Sequence, residues 1–189
     1  MSMAHMTFKS IVAAGVAIVT YSLPLSAEVG SDRSDELLSQ LAEAEDDVAA
    51  QRVERELQLE WSKSGSAAMD LLLKRGRDAM EVNDLDAAVE HLTALTDHAP
   101  DFAEGWLALS LAYYAKELYG PAAYALERTL ALNPDHFGAL QGVGAIFDHL
   151  DEPQRAYDAY AMAARLRPHD QTLLDAMERL ERDARGWKL

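Results

Sequence analysis

From residue 69 onward, large apolar, small and polar positions return in the same order every 34 residues. In blocks 69–102, 103–136 and 137–170, the fourth position reads Leu72, Trp106, Leu140 and the eleventh Ala79, Tyr113, Phe147. The eighth is always small (Gly76, Ser110, Gly144) and the twentieth always alanine (Ala88, Ala122, Ala156). The twenty-fourth reads Leu92, Leu126, Tyr160, and Pro100, Pro134 and Pro168 close the blocks. Small residues at two fixed places let two helix backbones approach closely, and large apolar residues around them fill the remaining space. Each block therefore predicts two antiparallel helices. One such hairpin cannot bury its apolar face alone, so the blocks must stack, and about three are needed for a stable array. Pro121 and Pro153 fall at the starts of second helices, where a missing N–H costs little.

These in-phase residues resemble the tetratricopeptide repeat, a 34-residue helix–turn–helix unit with a W-x2-L-G-x2-Y…A-x3-F…P pattern. The resemblance covers residues 69–170. Its turn is most typical in Asn83-Asp84-Leu85-Asp86-Ala87-Ala88 and its first helix in Trp106–Tyr113. The resemblance implies an all-α helix–turn–helix solenoid and a role in binding rather than catalysis.

Both ends of the array need covering. Residues 171–185 place Leu173, Met177 and Leu180 on one face, while the continued phase puts Glu178 and Glu181 where the next repeat would stack. That pattern predicts a C-terminal capping helix with Asp170 as its N-cap. Upstream, Leu37, Leu38 and Leu41 mark one helix, and Val53, Leu57 and Trp61 another at i, i+4, i+8. Asp46-Asp47-Val48-Ala49-Ala50 echoes the turn of the first repeat. We read residues 28–66 as a helical region holding a degenerate hairpin packed on the first repeat; the alternative is a charged, partly mobile helix. Ser62-Lys63-Ser64-Gly65-Ser66 marks the break before the repeat domain, 67–185, with Ser66 in an N-cap position.

The first 27 residues carry no acid and one lysine, Lys9. An apolar run from Ile11 to Val19 follows, and Leu25-Ser26-Ala27 precedes acidic sequence. This order is that of a secretory signal peptide cleaved after Ala27. The run is short for a membrane span, which needs about 20 residues; an uncleaved inner-membrane anchor is the alternative. The expected compartment is the periplasm, with no membrane attachment after cleavage. Ser64–Leu72 and Ala103–Trp106 resemble stretches of exported repeat proteins of Gram-negative bacteria.

Composition narrows the chemistry. The formal charge is −15, a poor match to nucleic acid or anionic lipid. With no cysteine, disulfides and thiolate metal sites are excluded. The six histidines show no metal-ligand spacing, and those after His5 read as solvated or helix-end residues. No Gly-x-Ser-x-Gly elbow exists, and Gly142-Val143-Gly144 is a packing pair rather than a phosphate loop. We expect no catalytic residue, metal or cofactor.

In repeats of this family, first helices line a concave groove. The corresponding positions give Leu73, Lys74, Arg77 and Met80, then Leu107, Leu111 and Tyr114, then Gln141. Leu107, Leu111 and Tyr114 form an apolar stripe at i, i+4, i+7, which marks an interaction site if exposed and core if the hairpin or superhelical packing covers it. Some relatives grip a peptide C-terminus through a lysine/asparagine/arginine clamp. This chain departs from that set, since only the first block supplies cations, Lys74 and Arg77. The expected partner is a protein or peptide of apolar or mixed character with one acidic group near Arg77. The alternative is a small-molecule binder or accessory subunit of an envelope transporter or enzyme.

Overall fold

The computed structural model describes the backbone of residues 25–186 and the side chains of 33–182. The apolar run and most of the expected signal segment lie outside the described residues. Among those described, every regular element is a helix: α1 Leu25–Ala42, α2 Asp47–Trp61, α3 Ala67–Glu81, α4 Leu85–His98, α5 Ala103–Ala115, α6 Tyr119–Leu132, α7 Phe137–His149, α8 Pro153–Leu166 and α9 Gln171–Gly186. None of them is long and apolar enough to cross a membrane.

The 34-residue period is written into the backbone. Asn83, Glu117 and Asp151 each take a left-handed φ of 57–59° just past a first helix. The following amide then reaches back five residues: Asp84 N to Ala79 O (2.8 Å), Leu118 N to Tyr113 O (2.9 Å) and Glu152 N to Phe147 O (2.9 Å). This closure satisfies carbonyls that the helix end leaves unpaired and turns the chain sharply into the second helix. Asp84 then caps α4 through the Ala87 amide at 3.1 Å, and Pro153 opens α8.

Within each hairpin the small positions do what the pattern requires. Ala88, Ala122 and Ala156 have no exposed surface. A Cβ added at Gly144 would fall 2.6 Å from the Tyr160 ring, and one at Gly76 would overlap Leu92. The glycine is therefore needed for close approach of the two helices. Leu92, Leu95, Ala108 and Ala112 join the first and second repeats, and Leu126, Ala139 and Ile146 join the second and third. α9 closes the stack with Leu173 and Leu180 against Tyr160 and Ala163. Its amide of Leu173 bonds Asp170 Oδ1 at 3.2 Å, the expected cap.

First helices touch one another, α3 to α5 and α5 to α7, whereas second helices make no comparable contact. The first-helix layer is therefore the inner, concave one. The N-terminal hairpin does not extend the stack from the first repeat, as the sequence reading has it. Its core of Leu37, Leu41, Ala50, Val53 and Leu57 continues into Phe137 and Leu166 of the third repeat. Arg167 ion-pairs with Glu54 at 3.0 Å and Asp170 at 2.7 Å, and its guanidinium lies 4.7 Å from the Phe137 ring centroid. His169 Nε2 donates to the Ala44 carbonyl at 2.7 Å. The curvature brings this far end of the array within reach, where it offers both an apolar seat and a cation. At the near end, Ser66 makes no side-chain cap for α3; Ser64 bonds Asp70 instead, at 2.6 Å from its hydroxyl.

Candidate functional site

The hairpin divides the concave face into a covered half and an open half. In the covered half, Glu104 at the start of α5 is buried among polar partners. One of its carboxylate oxygens pairs with Arg77 of α3; the other lies 3.0 Å from His136 Nε2. His136 is only 3% exposed, and its Nδ1 makes no hydrogen bond among the described residues. Trp61, the last residue of α2, lies over it with ring centroids 4.3 Å apart and reaches Phe137 at 5.2 Å. Arg77 also donates to Ser62 Oγ at 3.2 Å. The hairpin thus rests on the first repeat through Ser62 and on the third through Phe137, Leu166 and Arg167.

Two cavities flank Trp61. One of about 580 Å3 lies beneath α2, lined by Arg55, Leu59, Arg77, Leu107 and Leu111. The other, about 760 Å3, opens between α1 and the repeat ends, lined by Leu38, Lys63, Phe102 and Pro134. Both include Trp61, Glu104 and His136 in their walls.

Where the covered half gives way to the open one, Leu111, which also walls the cavity beneath α2, and Tyr114 are 44% and 36% exposed. Tyr114 meets Tyr119 edge-on at 5.4 Å, and Tyr119 lies 4.1 Å from His149. Desolvation, with nearby Glu117, holds the Tyr119 phenol above its usual pKa, so it stays neutral. Leu118 and Leu150 extend the exposed apolar surface beside this patch.

The residues read from the sequence as groove-lining separate by environment. Leu73 is 2% exposed and belongs to the core between the first and second repeats, against Ala108 and Ala112. Leu107, 9% exposed, packs with Leu126, Ala139 and Ile146. Neither is open to a partner, because the inward curvature presses adjacent first helices together at these positions. Lys74 is exposed and paired with Asp78 at 2.6 Å. Met80 is half-buried against the first core, and Gln141 accepts from Arg167 Nη1 at 3.4 Å. Arg77 faces Glu104, so its charge is already answered within the chain. His136 stands at a helix end as read from the sequence but is buried rather than solvated. Trp61, Phe137 and Arg167 were not singled out as site residues; the Val53–Leu57–Trp61 stripe was the available signal for the first. Among the described residues no acidic or histidine cluster could hold a metal ion.

A buried polar junction with a covering helix and an exposed aromatic patch can hold a chain segment. It presents no nucleophile–base pair. No protein-family model matches the chain. A TPR repeat-containing protein of Rhizobium etli is 30% identical over 154 residues, 82% of this chain and 76% of that protein. The chain belongs to the tetratricopeptide-repeat proteins. Its fold is similar to the first TPR domain of RPAP3 bound to the HSP90 peptide SRMEEVD, with 18% identity and a TM-score of 0.61 over 63% of this chain and 94% of that one. It is also similar to the Yersinia enterocolitica type III secretion chaperone SycD in complex with a peptide of the translocator YopD. There the identity is 12% and the TM-score 0.59, over 63% of this chain and 96% of that one.

Proposed function

We propose that this chain is a non-catalytic periplasmic adaptor that binds a protein or peptide on its concave face. The observation that carries the reading is the open half of that face, where Leu111 and Tyr114 stay exposed although the hairpin covers the positions beside them. Peptide binding by RPAP3 and SycD on the same fold supports it. The periplasmic part rests on the order of Lys9, the apolar run and Ala27. Replacing Leu111 and Tyr114 together by serine should abolish capture of the envelope partner while circular dichroism and melting stay near wild type. Undiminished capture would move the partner elsewhere. Expressed in a Gram-negative host, the mature chain should begin at Glu28 by intact mass; residues 1–27 retained in a membrane fraction would overturn the cleaved form in favour of the anchor. The cavity of about 760 Å3 beside Trp61 and Lys63 favours a second reading, a small-molecule binder. Under that reading, envelope metabolites raise the melting temperature and no protein is captured.

A further inference from the structure

The α1–α2 hairpin sits on the concave face as a bound peptide would. α2 buries Val53 and Leu57 in the hairpin's own core and meets the array through Glu54, which pairs with Arg167, and Trp61 two turns later, which lies on His136 and Phe137. The hairpin's apolar residues pack chiefly on one another, α1 against α2, and reach the array mainly at Phe137 and Leu166. The rest of its footing is polar: Ser62 on Arg77, Ala44 on His169, Glu54 on Arg167. Two cavities flank its Trp61, and His136 Nδ1 is buried unbonded under that ring. The repeat-to-repeat seams differ, with Leu95, Ala112 and Ala139 at zero exposure in continuous apolar clusters. A gapped, polar seat that strands a ring nitrogen is easier to leave, because opening hydrates the groups that closure desolvates. The connection to α3 is short and bends at Gly65, φ 79°, so the hairpin can lift without disturbing the array.

We propose that the hairpin is a displaceable internal ligand, and that the groove's partner is an amphipathic helix carrying the same stamp. That stamp is the pair by which α2 touches the array, a carboxylate and an aromatic ring seven residues on, as in Glu54 and Trp61. The inference rests on the adaptor reading and names its partner class. A tethered segment acts at millimolar effective concentration, so a free helix meets an occupied groove, and its apparent affinity falls by the fraction of time the groove is open.

The probe is a fluorescent peptide of residues 33–63, long enough to keep both helices, since an isolated 15-residue helix is marginal. Glu54→Arg in the full chain sets a cation against Arg167 and releases the hairpin while leaving the groove unchanged. This variant should bind the peptide at least tenfold more tightly than wild type. Glu54→Arg with Arg167→Glu restores the internal pair and faces the peptide's own Glu54 with a carboxylate, so binding should vanish again. Leu57→Asp, which puts a charge at a fully buried position of the hairpin, should release it independently and bind like Glu54→Arg. Amide exchange reports the hairpin and the repeats separately. Unchanged exchange in α2 in both single variants makes the hairpin a fixed part of the fold, and loss of repeat protection with it makes it core; either overturns the proposal. A released hairpin with no peptide binding overturns the partner pattern. Peptide rebinding without capture of any envelope protein would sink the adaptor reading alone.

Discussion

The helix crossings inside the repeats and the seat of the N-terminal hairpin are two contacts made by the same chain in opposite ways. At the crossings, helices meet over Ala88, Ala122 and Ala156, with Leu92 and Tyr160 filling the space above Gly76 and Gly144. The buried hydroxyls of the repeats are satisfied inside their own helices, Ser110 on the Leu107 carbonyl at 2.6 Å, Thr129 on the Ala125 carbonyl at 3.0 Å and Thr96 on the Thr93 carbonyl at 3.1 Å. The hairpin seat holds a carboxylate, an arginine and a histidine beneath one indole, with open space on both sides. Apolar close packing is stable without tuning and hard to reopen. A polar seat contributes little net stability, because desolvation offsets most of the attraction, and it is the contact a partner can replace.

That contrast can be broken or sharpened by substitution. The largest effect belongs to Leu92→Ala. It removes a fully buried side chain over Gly76 and should cost about 2–5 kcal/mol, read as an early, cooperative loss of all repeats in urea. A loss confined to α3 and α4 would mean the seams do not couple the blocks. Ala122→Leu comes next. Overpacking the crossing of α5 and α6 should cost roughly 1–3 kcal/mol; an unchanged melting temperature would show that the crossing is looser than its zero exposure implies. Smallest is Glu104→Gln, which leaves Arg77 without its charge partner. Because Arg77 is 42% exposed, solvent screening holds the cost to about 1 kcal/mol. It should appear as faster amide exchange in α2 before any change in α4 or α6. If the repeats respond first, the seat belongs to the core.

The array was legible because stacking demands the same residue at the same place in every block. Three alanines and three small residues in phase leave no other fold. The capping helix followed from the same logic, with Glu178 and Glu181 denying a further neighbour. The hairpin's existence was legible from Leu37, Leu41, Val53 and Leu57. Its docking was not, since the contact of Trp61 with His136 and Phe137 joins residues more than 70 apart that share no period. Leu73 and Leu107 were assigned to the groove from position alone, which treats first helices as side by side. In the structure they lean together, and the fifth position is squeezed between neighbours. His136 carried no signal at all: the other blocks place Phe102 and Asp170 at that point, so nothing in the repeat marks a histidine there as buried.

The three left-handed residues after the first helices have a practical consequence. Asn83 and Asp151 are of types whose short polar side chains tolerate this conformation; Glu117 holds it at φ 59°, where such a side chain costs about 1–2 kcal/mol. Glycine at 117 would relieve that strain without touching the hairpin seat. A thermally hardened version of this scaffold could therefore be made at one turn position, leaving its recognition face as evolution shaped it.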